Sequence, residues 1–153
     1  MAPVSDDLFL VDSAGDLLVE LAGGGLDEAI VSISTYGLAA EIELLTFAGS
    51  ATFQGSGNVL ANRISGGSLS DSLSGLAGDD TLVGGLGDDT LEGGSGLDTA
   101  SYAGVRSAYT VYGDGNGGFY VSGAEGFDRL VDIERLSFSD GAVNIAASAV
   151  WLT

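Results

Sequence analysis

The chain has 153 residues, with 22 acidic side chains against four arginines, no lysine, histidine or cysteine, and a formal net charge of −18 at pH 7. This charge argues against nucleic acid, which needs a basic footprint, and against anionic membrane surfaces. Without Cys or His there are no disulfides, no thiolate sites and no conventional zinc site, so only oxygen ligands remain, which suit hard cations such as calcium.

Hydrophobic residues reach 45%, and glycine fills 26 positions against one proline. So apolar a chain is not disordered through low hydrophobicity, and its length allows one domain with a core. A charge this one-sided repels itself in the compact state, so bound cations would help it fold. The start, "MAPVSDDLFLV", has neither the basic nor the long apolar segment of a secretory signal peptide. The longest apolar stretch, "AVNIAASAVWL", is too short to span a bilayer, so no membrane insertion is expected.

In chain order, residues 1–65 predict a β-rich capping or linking segment. "DLFLVD" and "LLVEL" read as strands around the turn "DSAGD". "EAIVSIS" and "IELLTF" read as further strands, bounded by "GGG", "YG" and "AGS". No window sustains a helical period.

Residues 66–101 divide into four nonads, "GGSLSDSLS", "GLAGDDTLV", "GGLGDDTLE" and "GGSGLDTAS". Position 1 is always Gly. Position 6 is Asp71, Asp80, Asp89 and Asp98, and position 8 is Leu73, Leu82, Leu91 and Ala100. A fixed period sets a stacked-repeat architecture. Each nonad reads as a six-residue turn and a three-residue strand, so two nonads make a coil of 18 residues. Position 8 points inward, while Thr81, Thr90, Val83 and Glu92 at positions 7 and 9 point out. One coil cannot bury its leucines, so coils must stack.

Stacking places Asp71 over Asp89 on one edge and Asp80 over Asp98 on the other. At a strand spacing of about 4.8 Å such carboxylates repel unless a cation lies between them. Calcium, with oxygens at about 2.3–2.6 Å, spans that gap, and magnesium, at about 2.0–2.1 Å, fits worse. Glycine lets turn carbonyls point at the ion. The expected ligands are the four Asp carboxylates and the carbonyls of Gly67, Leu69, Leu76, Gly78, Gly84, Gly85, Leu86, Gly87, Gly93 and Ser95. A site shared between coils exists only when they stack, so binding becomes folding energy.

Residues 102–153 predict a C-terminal β-rich cap, continuous with the rest. "AYTVY" and "FYVSG" flank "GDGNGG", which reads as a hairpin. The loop also matches G-x-G-x-x-G and, through Asp114, Asn116 and Glu125, part of an EF-hand. Strands on both sides, and Phe119 where an EF-hand needs Gly, favour the hairpin. "RLVDIERLSFSDGAVNI" suggests two or three strands turning at Asp140-Gly141, and "AASAVWLT" a short helix or a frayed end. Tyr102, Tyr109, Tyr112, Phe119 and Tyr120 are expected in the core and cap, with a sugar-stacking face as the alternative.

Gly25-Leu26-Asp27 and Gly126-Phe127-Asp128 echo the G-x-D of a nonad. They are either half-sites at the ends of the roll, with Asp27 and Asp128 as further metal ligands, or ordinary Asx turns. For catalysis there is no His, Cys or Lys, no G-x-S-x-G and no P-loop. Paired carboxylates could hydrolyse glycosides, but these are better assigned to calcium, so this segment is expected not to be an enzyme.

The nonads resemble the RTX, or haemolysin-type, calcium-binding repeat G-G-x-G-x-D-x-U-x. "GGLGDDTLE" fits at every defined position. "GLAGDDTLV" departs at Leu76, the first nonad at Leu69 and the last at Ala100. "GSGNVLANRISGG" is similar to a run leading into such an array. It puts Asn62 at position 6 and Ile64 at position 8 of a degenerate preceding nonad, with Asn62 on the Asp80 edge as a neutral ligand or cap. Asp7 and Phe9 look like the tail of another repeat, so the chain reads as a fragment of a larger protein, which can itself be an enzyme. The resemblance implies an all-β parallel β-roll (β-solenoid) with calcium in its turns. It also implies type I secretion, an extracellular or cell-surface location, and folding on external calcium. The alternative class is a calcium-stabilised binding or adhesion module for extracellular polysaccharide, by resemblance to accessory modules of certain alginate epimerases.

Overall fold

The computed structural model describes residues 5–145; the segment 146–153, read above as a short helix or frayed end, lies outside them. The strands are β1 (Leu8–Val11), β2 (Glu28–Val31), β3 (Thr35–Gly37), β4 (Leu44–Phe47), β5 (Gln54–Ser56), β6 (Arg63–Ser65), β7 (Ser72–Ala77) and β8 (Thr81–Val83). They continue with β9 (Thr90–Ser95), β10 (Thr99–Ser101), β11 (Thr110–Gly113), β12 (Phe119–Gly123), β13 (Gly126–Val131), β14 (Arg135–Phe138) and β15 (Gly141–Asn144). Among the described residues no helix is long and apolar enough to cross a membrane.

The strands form two sheets, ordered β1-β2-β4-β6-β8-β10-β14-β15 and β11-β12-β13-β9-β7-β5-β3, and successive strands alternate between them from β2 to β11. Pairing through the nonads is parallel with Ile64 beside Leu82 and Leu73 beside Leu91, the 18-residue coil expected from the period. The chain is an all-β parallel β-roll. Antiparallel pairing is confined to the C-terminal end, where β11, β12 and β13 form hairpins and β15 folds back on β14.

Inward side chains of the stacked strands line up in register. One sheet carries Ala29, Leu45, Ile64, Leu82, Ala100 and Leu136 in a row, all buried. The other carries Gly55, Leu73, Leu91 and Leu130. Burying each leucine contributes roughly 1.5–3 kcal/mol, and only stacking delivers it. Gly55 leaves its slot to the ring of Phe53, which a Cβ there would meet at 2.5 Å and which stacks on Phe47 at 4.4 Å. Tyr102, Tyr109 and Phe138, with centroids 5.0–5.8 Å apart, plug the core at its C-terminal end. Tyr109 and Phe119 are thus core residues as expected, whereas Tyr112 is exposed.

Two expectations need correction. "LLVEL" is not a strand: Leu17, Val19 and Leu21 point to solvent, while Leu18 and Glu20 are half-buried. Its sequence favours extension, but β1 pairs with β2, and among the described residues no strand pairs with this segment. The three-residue strand holds in β8 and β10, but β7 and β9 run to six residues, pairing Leu76 with Gly94 and Ala77 with Ser95 inside the turns.

Candidate metal centre

Every parallel strand of the first sheet is entered through one polar residue. Asp7, Asp27, Glu43, Asn62, Asp80, Asp98 and Glu134 immediately precede β1, β2, β4, β6, β8, β10 and β14. Glu43 and Glu134 donate their N–H groups to the Asp27 and Asp98 carbonyls; at the other entries the side chain of the next coil supplies the partner that the backbone N–H needs. Asp80 Oδ1 accepts from Asn62 N–H at 2.7 Å, Asp98 Oδ1 from Asp80 at 2.8 Å, and Glu134 Oε2 from Asp98 at 2.8 Å. Asp27 Oδ1 accepts from Asp7 N–H at 2.8 Å and Glu43 Oε2 from Asp27 at 3.0 Å. On the other edge Asp71, Asp89 and Asp128 accept from Phe53, Asp71 and Asp89 at 2.7, 2.8 and 2.9 Å. The stacked pairs predicted from the period are therefore present, but what joins them is a hydrogen bond from the backbone N–H of one aspartate to Oδ1 of the next.

The second oxygens tell a different story. Oδ2 of Asp80, Asp89 and Asp98 is buried and accepts no hydrogen bond. Each faces back into its own turn, against the position-1 glycine. A Cβ on Gly84 would collide with Asp89 Oδ2, and a Cβ on Gly75 would collide with Asp80 Oδ2 and stand 2.6 Å from the Gly93 carbonyl oxygen of the next coil. A Cβ on Gly93 would stand 2.6 Å from Asp98 Oδ2. The cradle that glycine leaves open is lined with acceptors, an arrangement that a cation would satisfy. An unpaired buried carboxylate is costly, and an oxygen-only donor set suits calcium.

Turn geometry divides the nonads. In the second, third and fourth, positions 2 and 4 are left-handed: Leu76 and Gly78 (φ 76° and 111°), Gly85 and Gly87 (100° and 114°), Gly94 and Gly96 (102° and 151°). In the first, Gly67 and Leu69 are not left-handed. Leu69 carries a Cβ where the other turns have Gly. That turn closes on itself, with Gly67 N–H donating to Asp71 Oδ2 at 2.6 Å. Asn62 does the same, accepting from Asn58 N–H at 2.7 Å. Asp71 and Asn62 thus have both side-chain functions engaged, and the candidate centre narrows to the turns ending in Asp80, Asp89 and Asp98.

Several proposed carbonyls pack against glycine in the following coil. Gly67, Leu76 and Gly78 oxygens lie where a Cβ on Gly85, Gly94 and Gly96 would be, and Leu69 oxygen is 2.9 Å from a Cβ built on Gly87. Gly67 oxygen also accepts Leu86 N–H at 3.1 Å, and Ser95 oxygen accepts Gly78 N–H at 3.0 Å.

Burial raises the Asp80 carboxyl to about 6, with Asp98 and Asp79 adding to the rise and the Asn62 N–H opposing it. Burial likewise raises Asp89 to about 7, reinforced by Asp128, Asp71 and Asp88. Asp98 and Asp128 are also raised, chiefly by burial. Without a cation these sites resist ionisation, and a bound divalent ion reverses that balance.

Position 5 was not foreseen. Asp79 and Asp88 accept the N–H of Leu97 and Phe127, each at 2.9 Å, as Asp6 accepts that of Leu26 at 2.9 Å. These pairs make the three G-x-D segments equivalent: Gly25, Gly96 and Gly126 have φ of 143°, 151° and 145°. Asp27 and Asp128 are therefore ladder members, with partners 20 and 39 residues away, and not Asx turns. Glu43 and Glu134 were also missed, because no glycine frame precedes them; an acid directly before an apolar strand is the one signal they carry. Asp114 serves the hairpin, accepting from Asn116 and Gly118 N–H at 2.7 and 2.9 Å. Glu125 is turned to Tyr109 and Ala103, so the two do not form an EF-hand loop.

Comparison with known proteins finds calcium-binding repeats over the same stretch of chain. Residues 65–100 match the model of the RTX calcium-binding nonapeptide repeat, in four copies. The fold is shared with the extracellular lipase LipA from Serratia marcescens, at 20% identity and a TM-score of 0.53 over 81% of this chain. That match covers 23% of the lipase, so the chain spans less than a quarter of its length. No curated protein matched the sequence.

Proposed function

We propose, for a chain carrying four RTX calcium-binding repeats in a parallel β-roll, that calcium binds in the turns 75–80, 84–89 and 93–98 and drives the roll to fold. Asp80, Asp89 and Asp98 supply carboxylate oxygens, and turn carbonyls of neighbouring coils complete the shells. Asp128 extends the Asp89 edge. The observation that carries this reading is the three buried Oδ2 atoms without a donor, each beside a glycine cradle.

The energetics are sufficient. One ion at a hundred times its dissociation constant stabilises by about 2.7 kcal/mol. Three such ions give roughly 8 kcal/mol, comparable to the whole stability of an ordinary domain. The charge of −18 makes the metal-free compact state self-repelling. By its likeness to RTX repeats and to an extracellular lipase, the roll is a folding device of an extracellular bacterial protein, leaving the cell unfolded by type I secretion and folding on external calcium. Catalysis, if the parent protein has any, lies outside this segment. Circular dichroism with and without a chelator tests this: β content should collapse on calcium removal, and equal β content in both states overturns it.

A second reading has one observation in its favour. Thr35, Gln54, Ser72, Thr90, Arg129, Tyr120 and Tyr112 form one cross-strand row on the outer face of the second sheet. Tyr120 lies 5.5 Å from Tyr112 and 5.2 Å from the exposed Phe127. Hydroxyls beside an aromatic platform suit a polysaccharide, so a glycan array on the calcium-loaded protein separates an adhesion module from a folding device alone.

A further inference from the structure

We infer that Asp7, Glu20 and Asp27 form a separate calcium site at the β1 end of the roll, outside the nonads. One carboxylate oxygen from each lies within 4.8 Å of the other two. Asp27 is fully buried. Its Oδ1 is accounted for by the Asp7 N–H, but Oδ2 is buried with no donor, as in Asp80, Asp89 and Asp98.

The third acid explains an oddity of the fold. Glu20 comes from the segment that reads as a strand and is not one. Leu17, Val19 and Leu21 face solvent there, while Glu20 is turned toward the body of the protein. Its Oε1 accepts Leu21 N–H at 2.7 Å, and Gly24 leaves room for it, a Cβ there standing 2.5 Å away. Only Leu18 of this segment packs against the core, while its other apolar side chains are exposed and its acid is turned toward two other acids. A cation shared by the three carboxylates accounts for that placement.

The chemistry suits calcium. All three donors are hard oxygens, the class that calcium takes, and they lie within 4.8 Å of one another, inside about twice the calcium–oxygen distance of roughly 2.3–2.6 Å. Bound calcium would staple the 12–25 loop to β1 at the end of the core. The site does not rest on the reading of the nonad turns, whose ligands lie elsewhere.

Two readouts test it on the full chain: calcium bound per chain, counted by competition with a chromophoric chelator, and chymotryptic cleavage after Leu17, Leu18 or Leu21. Glu20→Gln and Asp7→Asn should each lose one calcium, or bind it at least about tenfold more weakly. Each should also lose calcium's protection of the loop, while the calcium-induced rise in β content persists. If both variants keep the native calcium complement and the native protection, the site does not exist. Failure of the nonad reading is distinguishable: there the native protein shows no calcium-dependent change in β content.

Discussion

The turns Gly66–Asp71 and Gly84–Asp89 stack directly on the same edge, and their aspartates are joined by one hydrogen bond at 2.8 Å. Yet they close differently. Leu69 keeps the first out of the left-handed conformation, and Asp71 spends its second oxygen on Gly67 N–H. Gly87 lets the second adopt φ 114°, and Asp89 keeps an oxygen buried and unmet. Both turns have the acid. The self-satisfied turn carries a Cβ at position 4 and the metal-ready one does not, and the backbone conformation decides which donor reaches the carboxylate.

The contrast breaks most sharply at the carboxylates. Asp89→Asn should cost one calcium and raise the calcium concentration for folding by at least about tenfold, or roughly 1.4 kcal/mol. Asp71→Asn should leave the calcium count unchanged. Equal losses in a calcium-binding titration would erase the distinction between the turns.

Acidification probes the same oxygens. Asp80 and Asp89 have folded-state values of about 6 and about 7, above the ordinary 3.8. The metal-free fold therefore holds more protons than the unfolded chain between about pH 4 and pH 7, and its stability falls as pH rises through that window. Calcium competes with those protons. Chelated protein should thus gain β content between about pH 7.5 and pH 5, while the calcium midpoint rises over the same interval. A midpoint that does not move with pH counts against carboxylate ligation by these two residues.

Smaller effects sharpen the comparison from the other side. Leu69→Gly should let the first turn become left-handed, release Asp71 Oδ2 and add one calcium to the count. An unchanged count would show that Leu69 is not what closes that turn. Leu76 already sits at φ 76° in a metal-ready turn and is half exposed. Leu76→Gly relieves about 1–2 kcal/mol of left-handed strain against a glycine entropy cost of about 0.5–1 kcal/mol. The melting temperature of the calcium-loaded protein should rise by roughly 1–3 °C with the calcium count unchanged. A lower melting temperature would mean that the Leu76 side chain contributes more than its backbone costs.

Most of the roll was legible because a repeat fixes sequence separation. Leu73, Leu82 and Leu91 recur every nine residues, so their inward stacking, the two-sheet alternation and the vertical pairing of aspartates follow from counting. The departures Leu69 and Leu76 were visible too, but not that one abolishes the left-handed turn and the other tolerates it. Neighbouring coils and the hydrogen bonds across them decide that.

The sequence by itself determined the period, the inward residue of each coil and the acid at every central turn, since each depends on local spacing alone. The tertiary structure decided how each carboxylate divides its two oxygens between a neighbour's N–H and its own turn. It also decided where the ladder runs beyond the nonads. There the separations become 16, 36 and 39 residues, reaching Glu43, Glu134 and Asp128. No period announces those partners. They meet because stacked strands must satisfy the entry N–H of the coil beside them, whatever length of chain lies between.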